Sequence, residues 1–104
     1  MEKLVQRKEH TLVVTIPAEV DHCFADAIRE EVDRRIQTEE IEVLEFDFQN
    51  TEFMDSSGIG LLMGRYKLMK ALGGSVCITR AKERIHKILM LSGIHKIIPI
   101  EREQ

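Results

Sequence analysis

Several features that mark secreted, membrane-spanning or metal-binding proteins are missing from the sequence. Only two cysteines occur among its 104 residues, Cys23 and Cys77, and neither has a partner at the spacing of metal ligands. We therefore expect two reduced thiols, without a disulfide bond or a metal site. The longest strictly apolar stretches are a few residues long, whereas a membrane-spanning helix needs about 20. The charged start of the chain lacks a signal-peptide core, and these absences together predict a cytoplasmic protein.

An excess of positive charge is missing as well. The 15 lysines and arginines are outnumbered by 18 aspartates and glutamates, and the net charge is −3 at pH 7. Such a balance gives no general attraction to phosphate backbones or anionic lipid, so neither nucleic acid nor a membrane is expected as a partner. Because the chain also lacks Pro/Ser-rich runs and internal repeats, we predict one domain over residues 1–104.

The apolar residues that are present follow the periods of helices and strands. Phe24, Ile28, Val32 and Ile36 recur every fourth residue behind a candidate N-cap, Asp21, which predicts an amphipathic helix. Later in the chain, apolar positions 44, 46 and 48 alternate with acidic positions 45 and 47. That alternation predicts a strand with one buried face and one partly solvated face.

Strands and helices alternate along the chain. We predict strands over residues 3–8, 11–16, 41–48, 76–78 and 96–100, and helices over residues 21–38, 56–72 and 81–91. This order predicts an α/β fold with a small mixed, mostly parallel sheet of about five strands. An N-terminal antiparallel hairpin belongs to the sheet, and about three helices pack on one face. Arg65, Lys67 and Lys70 are assigned to the solvated side of the second helix.

Residues 53–60, Phe-Met-Asp-Ser-Ser-Gly-Ile-Gly, are the most unusual segment, since they place two hydroxyls, a carboxylate and two glycines at a predicted strand-to-helix turn. Gly58, Gly60 and Gly64 form a string of the G-x-G-x-x-x-G type. A dinucleotide site is disfavoured, because several residues separate the glycines from the preceding strand and no carboxylate follows at the required distance. The Gly-Lys-Ser/Thr of a phosphate-binding loop is also absent.

Ser56 itself has three possible uses. Nucleophilic catalysis is disfavoured, because a hydrolase turn needs a small residue where Asp55 stands and the chain is small for a substrate pocket. Phosphorylation is possible, since a serine at a helix N-terminus is accessible and the helix dipole favours a phosphate there. A phosphate about 4 Å from a partner carboxylate would cost roughly 4 kcal/mol, nearly a thousandfold in affinity. From residue chemistry alone, plain capping of the helix by Asp55 and Ser56 is the favoured interpretation.

Residues 51–60, continued by residues 64–67, resemble the signature of STAS-domain anti-sigma factor antagonists, and the sporulation sigma-F type is the most similar. Further similarity lies in residues 18–22, in Gly73-Gly74 before a strand, and in residues 91–98, so the resemblance covers nearly the whole chain. The Asp-Ser-Ser-Gly centre at residues 55–58 is specific for a STAS domain. It is less specific for the regulatory pathway that the domain serves.

The resemblance implies a phosphorylatable binding protein that is not an enzyme and has no cofactor of its own. It implies that the unphosphorylated chain binds an anti-sigma factor and releases the sigma factor. That anti-sigma factor is also the serine kinase, binds the ATP, and phosphorylates Ser56, after which binding is lost. A serine phosphatase then restores the active form.

The resemblance also implies a partner-binding surface around Ser56. Asp21 matches a carboxylate that lies near the site in the family, where it either caps its helix or accepts a hydrogen bond from Ser56. Met54 and Ile59 are expected in the core more often than in contacts. The residues assigned to this surface are Asp21, His22, Met54, Asp55, Ser57, Gly58, Ile59 and Gly60.

Two departures from the family pattern leave alternatives open. Pro17-Ala18 stand where the family commonly has glycine after the second strand, so we expect a different loop shape before Asp21. The chain reaches Gln104 without room for the further C-terminal helix that sporulation members often carry. A stress-response antagonist, a STAS sensor subunit in a larger signalling assembly and, less favoured, a small nucleotide-binding protein remain as alternatives.

Overall fold

The computed structural model describes residues 2–102 of the chain, so residues 1, 103 and 104 of the predicted domain lie outside the described part. The strands within this range are β1 (Val5–Lys8), β2 (Thr11–Thr15), β3 (Glu19–Val20), β4 (Val43–Asp47), β5 (Phe53–Met54), β6 (Ser75–Ala81) and β7 (Ile100–Arg102). The α-helices are α1 (His22–Thr38), α2 (Ser56–Ala71) and α3 (Glu83–Ser92). Short 3-10 helices cover Glu2–Leu4 and Ile94–Lys96.

The central sheet has five strands in the order β1-β2-β4-β6-β7. The β1-β2 pair is antiparallel and the other three pairs are parallel, which confirms the predicted hairpin and the mostly parallel sheet. β6 lies between β4 and β7 and needs hydrogen-bonding groups on both sides. This pairing extends over Ser75–Ala81, so β6 is longer than the three-residue apolar run at 76–78 that predicted it.

One face of the sheet forms the core together with the helices. Helix α1 begins where it was predicted, because the Asp21 side chain accepts a hydrogen bond from the Phe24 backbone N–H at 2.9 Å. Its apolar stripe is buried at Ile28, Val32 and Ile36. The largest fully buried side chains of the molecule are Leu12, Ile16, Ile28, Leu44, Phe46, Phe48, Leu62, Met69, Ile78, Ile85, Leu89 and Ile98.

The prediction was wrong at the C-terminal end, where a strand was expected over residues 96–100. Gly93 adopts a left-handed conformation, with φ of 81°, and ends α3. The Lys96 backbone N–H then donates to the Gly93 carbonyl at 3.1 Å, so the chain makes a 3-10 turn. The strand begins only after Pro99, which has no N–H to donate to a sheet, although its carbonyl accepts from Ile78 at 3.0 Å.

The predicted solvent exposure of the acidic positions in β4 is also wrong for one of them. Asp47 points away from the core but is only 4% exposed. Its carboxylate forms an ion pair with Arg80 and accepts a hydrogen bond from the Gln49 backbone N–H at 3.0 Å. Glu45 keeps partial exposure and accepts from the Thr79 hydroxyl at 2.9 Å.

Arg65 is a further correction, because it was assigned to the solvated side of α2. Only 8% of Arg65 is exposed, whereas Lys67 and Lys70 are exposed as predicted. Its Nε lies 2.7 Å from Asp33 Oδ1 on α1, and its Nη1 donates to the Leu61 carbonyl at 3.3 Å. Burial lowers the pKa of Arg65, and the charge of Asp33 opposes that effect. The ion pair therefore holds α1 against α2.

We expect replacement of Arg65 by alanine to destabilise the fold, because it leaves Asp33 without its buried partner. The loss should be about 2–3 kcal/mol, slightly below the range for a fully buried pair because Asp33 keeps some contact with water. Lys67→Ala on the same helix should change the free energy of unfolding by less than about 0.5 kcal/mol. Urea denaturation of both variants tests this, and equal stabilities would contradict it.

Candidate functional site at the start of helix α2

A second, two-stranded sheet that was not predicted brings two helix starts together. β3 and β5 pair in parallel, with Val20 opposite Met54. The Glu52 and Asp55 backbone N–H groups donate to the carbonyls of Ala18 and Val20, at 2.8 and 3.3 Å. The next residues after the two strands, Asp21 and Asp55, are the N-caps of α1 and α2. Because paired strands lie about 4.8 Å apart, both capped helix N-termini emerge at the same place.

The Asp55 carboxylate organises the first turn of α2. Its Oδ1 accepts a hydrogen bond from the Ser57 backbone N–H at 2.8 Å and a second one from the Ser57 hydroxyl. These two bonds are the main reason that the pKa of Asp55 lies below its usual value, and a positive charge on His22 acts in the same direction. The Ser57 hydroxyl is therefore occupied by the cap, and Ser57 is half-buried.

Ser56 differs from its neighbour in both respects. It is the first residue of α2 and is exposed to solvent. Within residues 2–102, the cap bonds of Asp55 go to Ser57 and leave the Ser56 hydroxyl outside the capping network. Ser56 is therefore the more accessible of the two serines at this turn.

Asp21 and His22 are exposed beside this turn. Of the two roles open to Asp21, the described contacts support capping, because its carboxylate accepts from Phe24 rather than from Ser56. His22 lies close enough for its charge to act on Asp55. The unusual Pro17-Ala18 segment leads directly into β3, and the Ala18 carbonyl accepts from both Glu52 and Phe53. That segment thus supports the strand pairing.

Two of the residues assigned to the partner surface lie in the interior. Met54 is 4% exposed and Gly58 is buried, so neither residue lies on the surface that a partner would meet. A Cβ added at Gly58 would overlap the Met54 side chain and lie 3.4 Å from Val20 Cγ1. Met54 and Gly58 therefore support the turn by close packing.

Ile59 is half-buried and packs against the core, whereas Gly60 is exposed and a Cβ there would meet open space. Gly58 is the first glycine of the G-x-G-x-x-x-G string, and its close packing against Met54 explains why a glycine stands there. A cavity of about 250 Å³ lies between α1 and α2, lined by Ala25, Asp26, Arg29, Ser57, Gly60, Leu61 and Arg65. It is smaller than the roughly 300 Å³ at which ligand pockets usually begin.

Metal and membrane sites find no support in the described part of the chain. Residues 2–102 contain no group of three or more His, Cys, Asp or Glu side chains placed to hold a metal ion. None of the helices in that range is long and apolar enough to cross a bilayer. Cys23 and Cys77 are free thiols, and burial together with the nearby charge of Glu45 raises the pKa of Cys77.

Sequence reasoning missed one residue of this surface. Phe53 is 55% exposed, although it is a large apolar residue in a strand. Its neighbour Met54 points inward, so the alternation along β5 places Phe53 outward. A two-residue strand is too short to be recognised by periodicity, so no pattern indicated that Phe53 is exposed.

Comparison with known proteins links this chain to a family. The model of the STAS domain matches residues 2–103. An anti-sigma F factor antagonist of Paenibacillus polymyxa is 38% identical over 89 residues, which are 86% of this chain and 76% of the relative. An anti-sigma-B factor antagonist of Bacillus subtilis is 29% identical over 96 residues, 92% of this chain and 86% of the relative.

Solved structures of the anti-sigma factor antagonist SpoIIAA have the same fold. The unphosphorylated form superposes with a TM-score of 0.84 at 25% identity, covering 92% of this chain and 84% of that one. The phosphorylated form, from Bacillus, has a TM-score of 0.76 at 25% identity, over 92% of this chain and 87% of that one.

We expect the charge of Asp55 to contribute to stability in a pH-dependent way. Because folding lowers its pKa, the contribution is complete above the unfolded value of about 3.9 and is lost as the pH falls through the folded value. Asp55→Asn keeps a capping side chain without the charge, so it should be less stable than the natural protein at pH 7 and equally stable in strong acid. Urea denaturation across this range, with exposed Glu30→Gln as control, tests this; a pH-independent difference contradicts it.

The close approach of Gly58 to Met54 predicts opposite effects at two glycines. Gly58→Ala should destabilise the fold by about 1–3 kcal/mol, because Met54 is confined in the core and cannot move aside. Gly60→Ala should stabilise it by about 0.5–1 kcal/mol, because the helix gains a better former and the Cβ meets nothing. Thermal unfolding of the two variants checks the order, and a more stable Gly58→Ala would refute the packing role.

Proposed function

This chain belongs to the STAS domain family, and we propose that it is an anti-sigma factor antagonist controlled by phosphorylation of Ser56. The observation that supports the proposal is that the hydroxyls of Ser56 and Ser57 have different surroundings. Ser57 is bonded to the Asp55 cap, whereas Ser56 is exposed at the first position of α2. The relatives from Paenibacillus polymyxa and Bacillus subtilis support the antagonist role.

The proposed partner is an anti-sigma factor that also has serine kinase activity and binds the ATP. The unphosphorylated chain docks on this kinase in the cytoplasm, where its sigma factor acts, and the sigma factor is released. Transfer of a phosphate to Ser56 ends the docking, and a serine phosphatase restores it. The chain itself is a binding module in this cycle and needs no catalytic residue.

The local structure suits a reversible phosphate. The start of a helix carries partial positive charge from its backbone N–H groups, so a phosphate on Ser56 is compatible with the fold. The same phosphate would lie near the N-cap carboxylates of Asp21 and Asp55, so it would add negative charge beside two acidic side chains. Phosphorylation therefore changes the surface that a partner meets and leaves the fold intact.

Mass spectrometry of the phosphorylated residue tests this proposal. The chain is incubated with ATP and the anti-sigma F factor of Paenibacillus polymyxa or, in parallel, the anti-sigma-B factor of Bacillus subtilis. We expect one phosphate on Ser56, no phosphate on Ser56→Ala, and a normal yield on Ser57→Ala. Phosphate on Ser57, or on neither serine with either kinase, would contradict the proposal.

The two kinases also distinguish the sporulation pathway from the stress-response alternative. We propose the sigma-F type, since the relative from Paenibacillus polymyxa is 38% identical and the relative from Bacillus subtilis 29%. Tighter binding and faster phosphorylation with the anti-sigma F factor are expected. Preference for the anti-sigma-B factor would assign the chain to the stress response.

A further inference from the structure

Phe53 is a large aromatic residue that is exposed to solvent and does not belong to the core. More than half of it, 55%, is accessible to solvent, while the next residue, Met54, is buried in the core. Phe53 lies opposite Glu19 in the β3-β5 pair, and Glu19 is exposed too. The outward side of this short sheet therefore presents one aromatic ring beside one carboxylate.

The position of Phe53 distinguishes it from other exposed apolar residues. Leu91 is even more exposed, at 89%, but it lies at the last turn of α3, far along the chain from the turn at Ser56. Phe53 is three residues before Ser56, and three residues span at most about 11 Å. A protein interface usually covers roughly 800 Å² of each partner, a disc of about 16 Å radius. A partner centred on Ser56 therefore also covers Phe53.

The charges next to the ring are negative on the α1 side. Glu19 and Asp21 are exposed, and Asp55, whose pKa is lowered by its hydrogen bonds to Ser57, adds a third carboxylate. On the other side, Glu52 is paired with Lys82 at 2.5 Å. Electrostatic complementarity thus predicts basic side chains in a partner where it faces Glu19 and Asp21.

The direction of the proposed switch shows that such ion pairs alone are insufficient. A phosphate adds about −1.5 to −2 charges at pH 7. A partner that recognised this face only through basic side chains would bind the phosphorylated chain more tightly. A contact around Ser56 that excludes water lets phosphorylation weaken docking, because the phosphate then loses its hydration without gaining a cation.

Two features of the chain permit a contact of that kind. The ring of Phe53 offers apolar area, and Gly60, one helical turn after Ser56, has no side chain and faces open space. Apolar centres bordered by charged groups are the usual arrangement of protein interfaces, and buried aromatic residues frequently dominate their affinity.

We propose that Phe53 is the apolar anchor of the kinase-binding surface. It fills an apolar pocket next to the active site of the anti-sigma factor, and basic side chains of that partner face Glu19 and Asp21. This inference rests on the proposed function and identifies the chemistry of the partner surface: an apolar pocket with a basic border on one side.

Binding of the anti-sigma F factor of Paenibacillus polymyxa, measured by calorimetry with the unphosphorylated chain, tests the anchor. Phe53→Ala should weaken binding by about 30-fold or more, as truncation of a buried aromatic anchor does. Phe53→Leu, which keeps an apolar side chain, should retain most of the affinity. Leu91→Ala, the matched control, should bind within about twofold of the natural protein. Because Phe53 is largely exposed, the three variants should keep the unfolding midpoint within a few degrees.

The outcomes distinguish the proposed role of Phe53 in binding from the proposed control by phosphorylation of Ser56. If the unphosphorylated Phe53→Ala variant binds normally and the kinase still phosphorylates its Ser56, the role of Phe53 as an anchor is overturned. The proposed function is then unaffected. Equal losses for Phe53→Ala and Leu91→Ala would also overturn it. Absence of both binding and phosphorylation in the natural protein would overturn the proposed function and the anchor together.

Discussion

The short parallel pairing of β3 with β5 is the constraint on which the site depends. Two residues in each strand are enough to bring Asp21 and Asp55 side by side, so that two helices begin at one point. The backbone bonds that hold this pairing run through the Ala18 and Val20 carbonyls. Without it, α1 and α2 would still pack through Arg65 and Asp33, but Asp21 would not border the turn at Ser56.

Asp55 gives the two neighbouring serines different surroundings. It accepts both the backbone N–H and the hydroxyl of Ser57, whereas Ser56 is exposed to solvent. A phosphate added at Ser56 enters a region that already carries acidic side chains. In the proposed switch, the phosphate weakens docking by desolvation in an apolar contact as well as by repulsion from a partner carboxylate.

The sequence predicted those elements whose patterns are long. The period of Ile28, Val32 and Ile36 located α1, and alternation in residues 41–48 located β4. Short elements had no pattern to detect, which is why β3 and β5 were missed. Arg65 was misplaced because its partner, Asp33, lies 32 positions away in a different helix, a distance that local spacing cannot reveal. The Asp-Ser-Ser-Gly turn was recognised from its residues, but the separate roles of its serines required the geometry of the cap.

The central claim is that a single phosphate on Ser56 controls docking. Its most direct test is the ratio of two dissociation constants, for the fully phosphorylated and the unphosphorylated chain, with the same anti-sigma factor kinase under the same conditions. We expect the phosphorylated chain to bind at least about a hundredfold more weakly, a difference of roughly 2.7 kcal/mol. Equal affinities, or tighter binding of the phosphorylated chain, would contradict it.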